Sequence, residues 1–179
     1  TVINGVYIKN ASGQSIDKET VGKGEFPAVY HADASPQVLI VHSHATEAYT
    51  MPSGQKYKAS GNYRTKDTNY NVVRVGDEVA AALSSYGISV LHDRTLHDSP
   101  SYNDAYPNSY DAIASYLEKY PSLVYILDIH RDAVEDADGN QYKLVTREDP
   151  HAAQCSIVLG NDYEHWQDNL TLAVAVQQT

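Results

Sequence analysis

The chain is long enough for one domain with a sizeable core, since it has 179 residues, 42% of them hydrophobic. Its 23 acidic residues outnumber its 13 basic residues, which gives a net charge of -10. Because this charge repels phosphate backbones and anionic membrane surfaces, we expect no nucleic-acid partner. Cys155 is the only cysteine, so the chain can form neither an internal disulfide nor a thiolate zinc cluster, and we expect Cys155 to be a buried structural residue.

The two ends of the chain predict a fragment of a larger protein. No apolar run approaches the ~18 residues that span a bilayer, and the start at Thr1 has no basic-then-apolar signal pattern. The chain stops at Thr179, inside an apolar pattern. We therefore expect a single domain, residues 1–179, that is truncated at its C-terminus.

The chain opens with weak structural signals before its first strongly apolar segment. Alternating apolar residues between Val2 and Ile8 predict a short strand, and the stretch from Gly22 to Pro27 predicts a loop. The run Val38 to Val41 is continuously apolar and branched, which is typical of a strand covered on both faces. This strand leads directly into His42-Ser43-His44.

A polar, tyrosine-rich stretch follows from Ala45 to Tyr70. It is too irregular for a helix or a strand, so we predict a long loop over a site, with Tyr49 and Tyr57 in one wall of a substrate groove. Apolar residues then recur at helical spacing from about Asn71, and Gly87 stands where a glycine commonly ends a helix. The sequence therefore predicts a long helix directly after the loop.

The second half of the chain predicts further strands and helices. The predicted strands are Ile88 to Leu91, a buried strand from Leu123 to Ile129, and Ser156 to Leu159. Ser109 can cap a helix between the first two, and Pro121 ends it. After a turn signal at Asp138-Gly139-Asn140, Tyr142 to Thr146 is a possible hairpin arm. The stretch from Asn169 onward fits a strand or a helix, and we favour the helix.

This order of elements predicts an α/β fold with a mostly parallel central sheet and helices on both faces. Ligands of such sheets lie beyond the carboxyl ends of the strands. Histidines follow the strand ends at His42 and His44, at His92, and at His130. The sequence therefore predicts a cluster of imidazoles at one edge of the sheet.

Two of these histidines combine with a carboxylate in a spacing found in zinc hydrolases. His44 and Glu47 are three residues apart directly after one strand, and His130 comes from another. A catalytic zinc ion takes three protein ligands from His, Asp and Glu and keeps a fourth position for water. We therefore predict zinc as the cofactor, with His44, Glu47 and His130 as ligands and Asp67 as the alternative to Glu47.

Charged residues surround the last of these ligands in the run Asp128-Ile129-His130-Arg131-Asp132. A metal-bound imidazole needs an acceptor for its other nitrogen, which Asp128 or Asp132 can supply. Arg131 can stabilise an oxyanion or hold a substrate carboxylate, and Asp132 is a candidate base. The alternative is that Arg131 forms only an exposed salt bridge.

Three further histidine positions have supporting or alternative roles. His42 is a core residue or a residue that supports the metal ligands from behind. His92-Asp93 and His97-Asp98 follow a strand end, where they line a substrate groove or belong to a solvated loop. The sequence alone leaves these alternatives open.

The segment Val38 to Glu47 resembles the His-Thr-His-x-Thr-Glu segment of the stage II sporulation protein P family. Asn71 to Asp77 resembles the first helix of that family, and Tyr86-Gly87-Ile88 with His92-Asp93 resembles its second strand. Ile126 to Asp132 resembles its Ile-Asp-Ile-His-Arg-Asp signature, which is the most specific of these matches.

The resemblance implies a zinc-dependent N-acetylmuramoyl-L-alanine amidase that degrades peptidoglycan while the forespore is engulfed, with possible endopeptidase activity. It implies an extracytoplasmic protein that an N-terminal helix, absent from this chain, holds in the mother-cell membrane. It also implies stage II sporulation protein D as a partner. The family's expected general base is a glutamate that would lie beyond Thr179, so we expect this fragment to be nearly inactive.

Two other functions remain open from the sequence. A metallocarboxypeptidase would use the same three ligands but would prefer a C-terminal carboxylate. A non-catalytic peptidoglycan-binding module would stack its tyrosines on sugars and bind no metal.

Overall fold

A computed structural model describes residues 1–25, 33–49, 63–138, 141–142 and 144–178. The chain divides into two compact units, Thr1–Val29 with Lys143–Thr179 as the first and Tyr30–Tyr142 as the second. Each unit is described by itself, and the single domain expected from the sequence stays a prediction. No helix in the described ranges is long and apolar enough to cross a membrane.

The described elements alternate between strands and helices. The strands are β1 (Val2–Ile3), β2 (Val6–Tyr7), β3 (Val38–Val41), β4 (Val90–His92), β5 (Tyr125–Asp128), β6 (Val134–Glu135) and β7 (Gln141–Tyr142). The helices are α1 (Lys18–Lys23), α2 (Val72–Ser85), α3 (Ala105–Lys119) and α4 (Trp166–Gln177), and a single 3-10 turn at Tyr102–Asp104 precedes α3.

The second unit is built on a three-stranded parallel sheet in the order β4-β3-β5. The central strand β3 is completely buried. On one side of it, Leu39 and Val41 pack against Ile113 and Tyr116 of α3. On the other side lies α2, which contacts β3 and β4. The α/β architecture with a parallel sheet flanked by helices is therefore confirmed.

The predicted helix after the loop is confirmed as α2. Asn71 caps its start, because the Asn71 side chain accepts a hydrogen bond from the Val73 N–H. The helix ends at Ser85 with Tyr86 as its C-cap, and Gly87 follows with a φ of 80°, which a glycine adopts without strain. Because the carbonyl of Glu47 accepts from the N–H of Val72, the helix starts directly beside the candidate site.

Three predictions for the second unit were wrong in detail. Ser109 does not cap α3 but lies inside it, buried, because the helix already begins at Ala105 after the 3-10 turn. The strand predicted as buried between Leu123 and Ile129 is β5, an edge strand of the described sheet, so Ile126 and Leu127 are 41% and 38% exposed. The hairpin arm predicted from Tyr142 to Thr146 differs as well, since among the described residues it is Gln141–Tyr142 that pairs with β6, and residues 144–146 form no strand.

The first unit has a small core of its own, formed by Ile3, Val21, Leu170 and Val174. Its start is a hairpin of β1 and β2 rather than one strand, because Asn4 and Gly5 both have positive φ and turn the chain. The predicted loop begins inside α1, whose first N–H groups are capped by the Asp17 carboxylate.

The C-terminal part of the first unit also departs from the sequence predictions at two places. Ser156 to Leu159 forms no strand, and Cys155 is exposed rather than buried. The favoured helix is confirmed as α4, which begins at Trp166, before the predicted start at Asn169.

A helix glycine offers the first test of this fold. At Gly76, an added Cβ would lie 2.5 Å from Nε2 of His92 and 2.6 Å from Nε2 of His42, so Gly76→Ala forces buried rings apart. Overpacking of this kind costs about 1–3 kcal/mol. We expect Gly76→Ala to lower the free energy of unfolding in urea, although alanine is otherwise the better helix former.

Gly22→Ala is the matched control, because an added Cβ in α1 meets only ordinary contacts of 3.7 Å and 3.8 Å. We expect this variant to be as stable as the original chain or slightly more stable. A Gly76→Ala protein with undiminished stability would contradict the packing described for α2.

Candidate functional site

The carboxyl edge of the sheet brings together the residues that follow β3 and β5. The N–H of Ile129 donates to the carbonyl of Val41 at 3.0 Å, so the two strands stay paired up to His130. After β3 the chain turns sharply, and the N–H of Glu47 donates to the carbonyl of His44 at 3.0 Å. This turn places His44 and Glu47 beside His130, as the sequence predicts.

Two carboxylates hold the turn in place. The N–H of Ser43 donates to Asp128 at 2.9 Å, and the Ser43 hydroxyl donates to the other oxygen of the same carboxylate. The N–H and the hydroxyl of Thr46 both donate to Asp98, whose side chain is fully buried. Both carboxylates are therefore satisfied by donors from the turn, which for Asp98 offsets the cost of its burial.

His130 lies between two carboxylates. Its Nε2 is 3.1 Å from Oδ2 of Asp128, and its Nδ1 is 3.4 Å from Oε2 of Glu47. The hydrogen bonds to Asp128 and Glu47 raise the pKa of His130 to about 10. Without a metal, His130 is therefore an imidazolium at neutral pH, and both of its nitrogens are used as donors.

Glu47 is held from three directions. Besides the contact with His130, it accepts from the Arg131 N–H at 3.0 Å, and Arg64 lies 3.4 Å from its other oxygen. Burial alone would raise the pKa of the Glu47 carboxyl, but the hydrogen bonds from His130 and the Arg131 N–H hold that pKa below its usual value. Glu47 is therefore an anion in a fixed position.

His44 is packed among aromatic rings. Its imidazole stacks on Tyr102 with ring centroids 4.4 Å apart and meets Tyr106 edge-on at 5.0 Å. The centroid of the His130 ring lies 5.5 Å away. Burial lowers the pKa of His44, which keeps the ring neutral. Its buried Nδ1 has no hydrogen-bond partner among the residues that the structure describes.

The donor atoms of these side chains are of the types that zinc binds. Two imidazoles and a carboxylate are a donor set that catalytic zinc takes, and the unpartnered Nδ1 of His44 is the sort of buried atom that a ligand would satisfy. Within the described ranges, however, no three His, Cys, Asp or Glu side chains already stand in an arrangement that holds a metal. In addition, Asp128 and Glu47 engage both nitrogens of His130, whereas a ligand imidazole must be neutral.

The two candidates for the third ligand lie in different surroundings, and the choice between them stays a prediction. Glu47 contacts His130, whereas Asp67 is exposed and accepts from the backbone and side chain of Asn69. Asp132 is exposed and accepts from the N–H of Ala133. Arg131 reaches the site through its backbone N–H, which donates to Glu47.

The predicted groove residues that the structure describes lie in different surroundings. Tyr49 is exposed, and Tyr57 lies outside the described residues. The rings of His92 and His97 lie inside the protein, where they contact Asp77 and Asp93 rather than a groove surface. The groove itself stays a prediction.

Sequence reasoning missed Arg64, Tyr102 and Tyr106, which contact the candidate ligands. Arg64 donates to Asp98 at 2.8 Å, and its guanidinium lies 4.4 Å from the ring centroid of Tyr102, which in turn stacks on His44. Arg64 reaches Glu47 because its strand-like segment forms an antiparallel bridge with Glu47. No local pattern reveals that pairing.

A cavity of about 440 Å³ adjoins these contacts. It is lined by Thr46, Arg64, Thr65, Lys66, Asp67, Asp98, Ser99, Pro100 and Tyr102. Because Tyr102 also stacks on His44, and Arg64 also contacts Glu47, the cavity lies directly beside two of the candidate ligands.

Comparison with known proteins places the chain among sporulation proteins. It is 29% identical over 147 residues to stage II sporulation protein P of Bacillus subtilis (strain 168), an alignment that covers 76% of this chain. The chain spans about a third of that relative, 34% of its length. No solved structure matches the chain. A family model described as stage II sporulation protein P matches residues 6–179, so the chain belongs to the stage II sporulation protein P family.

Proposed function

We propose that this chain is the zinc-binding part of a peptidoglycan amidase, of the N-acetylmuramoyl-L-alanine type, that acts when the forespore is engulfed. The observation that carries the proposal is the meeting of His44, Glu47 and His130 at the carboxyl edge of a parallel sheet. Membership of a sporulation protein family supports the setting.

In this proposal His44, Glu47 and His130 hold the zinc. When bound, zinc polarises the amide carbonyl and lowers the pKa of water toward about 7. Asp128 accepts from His130 and fixes the orientation of its ring, while Arg64 and the Arg131 N–H fix Glu47. Neutral imidazoles are required, and the low pKa of buried His44 already meets that requirement.

Asp132 is the proposed proton acceptor within these residues. It follows His130 by two positions and is exposed, so it can exchange protons with water and with a leaving amine. The guanidinium of Arg131 is the proposed group for an oxyanion or for a carboxylate of the stem peptide. Possible cleavage of peptide cross-links belongs to the same proposal.

From the family resemblance we also propose three properties of the whole protein. They are attachment to the mother-cell membrane by a preceding helix, an extracytoplasmic location, and a partnership with stage II sporulation protein D. The cavity beside Tyr102 and Arg64 is the proposed contact surface for the wall polymer.

A wall-binding module without hydrolytic activity is the second candidate. The observation in its favour is that Asp128 and Glu47 engage both nitrogens of His130, a structural role that needs no metal. It predicts purified protein without zinc, which separates it from the amidase.

We expect the purified protein to bind about one zinc ion per chain, measured by elemental analysis after dialysis against a zinc buffer. His44→Ala and His130→Ala should each lose this zinc, because a site with two ligands holds it far more weakly.

His165→Ala is the matched control, since His165 is exposed in the first unit and plays no part in the site. It should retain the zinc of the original chain. Full occupancy in the His44→Ala/His130→Ala double variant would rule out the assignment, and an original chain without zinc would favour the wall-binding module.

We expect Tyr102→Leu to weaken binding to purified sacculi about fivefold, because loss of one aromatic stacking contact costs about 1 kcal/mol. Leucine keeps an apolar surface against His44 but cannot stack on a sugar or amide plane. Co-sedimentation with sacculi measures the change.

Tyr86→Leu provides the comparison, because Tyr86 is 81% exposed at the end of α2 and lies outside the cavity. Its binding should match that of the original chain. If the two variants bound sacculi equally well, the cavity beside Tyr102 would not be the contact surface.

A further inference from the structure

A chain of hydrogen bonds under the candidate site is not used by the proposed function. His42 is fully buried, and its Nδ1 lies 2.9 Å from the carbonyl oxygen of Ile129. Its Nε2 lies 2.8 Å from Nε2 of His92, whose Nδ1 is 3.1 Å from Asp77. These hydrogen bonds therefore link helix α2 to Ile129, the residue immediately before His130.

The direction of these hydrogen bonds follows from chemistry. A carbonyl oxygen can only accept, so Nδ1 of His42 carries the hydrogen that Ile129 accepts. With its hydrogen on Nδ1, the neutral His42 ring has a lone pair on Nε2. That lone pair can accept only from an Nε2–H of His92, and the Asp77 carboxylate can accept only from an Nδ1–H of the same ring, so the full series of contacts needs a His92 ring with a hydrogen on each nitrogen, whose positive charge Asp77 balances.

The packing of α2 makes this chain possible. An added Cβ at Gly76 would lie within 2.6 Å of Nε2 in both His42 and His92, so only a glycine leaves room for the two rings to meet. The next residue of the same helix is Asp77, which is also paired with Arg94. The helix thus supplies both the space and the final acceptor.

The hydrogen-bonded series of Asp77, His92 and His42 acts on the backbone next to His130. The N–H of Ile129 donates to Val41, and the carbonyl of Ile129 accepts from His42, so both polar groups of this residue are held by β3 and its extension. We propose that Asp77, His92 and His42 form a positioning chain that fixes Ile129 and thereby places the His130 imidazole between Asp128 and Glu47. The proposal rests on the proposed function only for the metal affinity that it predicts.

Loss of these hydrogen bonds has a defined consequence for His130. Without a donor on His92, His42 loses the contact that orients its ring, and the Ile129 carbonyl loses a well-aligned donor. The His130 ring then departs from its contacts at 3.1 Å and 3.4 Å with the two carboxylates. Residues that orient a metal ligand in this way typically change metal affinity about 10- to 100-fold.

The test compares His92→Ala with His92→Gln in the metal-free protein and in the zinc-loaded protein. Glutamine can place an amide donor near the position of Nε2, so it should restore the contact with His42 that alanine removes. The ring resonances of His130, identified by their absence in His130→Asn, report its position by NMR. We expect them to shift in His92→Ala and to return toward the original values in His92→Gln, with zinc affinity lowered at least tenfold in His92→Ala alone.

Val79→Ala is the matched control, because it also weakens packing in α2 but lies outside the hydrogen-bonded chain. Unchanged His130 resonances in folded His92→Ala, or an equal shift in Val79→Ala, would overturn the proposal. If His92→Ala does not fold, Asp77→Ala serves instead, since alanine is a good helix former, and it should shift the same resonances. Absence of zinc from the unmodified protein would refute the proposed function. The metal-free spectra would still decide whether Asp77, His92 and His42 position His130.

Discussion

The Asp128 carboxylate holds together the two strand ends on which the candidate site is built. One oxygen accepts from the backbone of Ser43 after β3, while the other accepts from the Ser43 hydroxyl and lies 3.1 Å from His130 after β5. Ser109 extends this network from α3 by a hydroxyl contact of 3.2 Å to Ser43. Burial alone would raise the pKa of Asp128, but the donors from His130 and Ser43 hold it below its usual value. The carboxylate therefore stays charged, and its charge ties the two histidine-bearing segments to each other.

From Asp128 the charges alternate across the edge of the sheet. The order is Asp128, His130, Glu47, Arg64 and Asp98. Each cation lies between two carboxylates, so removing one member would leave a neighbour with an unpaired charge in partly buried surroundings, which is strongly destabilising. In this series His130 uses both of its nitrogens. A zinc ion at the candidate ligands would have to displace one proton from His130, so that an ion with two positive charges would replace a single one.

The sequence predicts those parts of this site that depend on local pattern. The apolar run of β3, the capped helix α2 and the histidines after β3 and β5 follow from periodicity and from the topology of parallel sheets. What it does not predict depends on pairing between distant segments. Arg64 is brought to Glu47 by an antiparallel bridge, and no short pattern encodes this contact. Ser109 has the right chemistry for a helix cap, but the 3-10 turn before it starts the helix one turn earlier and leaves its hydroxyl for Ser43.

The two buried rings of His42 and His92 are easier to explain by geometry than by stability. A leucine at position 42 would fill a similar volume in the layer between β3 and α2, without the desolvation that two imidazoles require. It would, however, remove the donor to the carbonyl of Ile129, and a hydrogen bond of this kind contributes about 1 kcal/mol. That contribution is small beside the cost of burying polar rings, so the pair adds little net stability. The pair instead fixes the orientation of the backbone before His130. An apolar side chain can pack against this backbone in several orientations, whereas an N–H donor at 2.9 Å holds the Ile129 carbonyl in one of them.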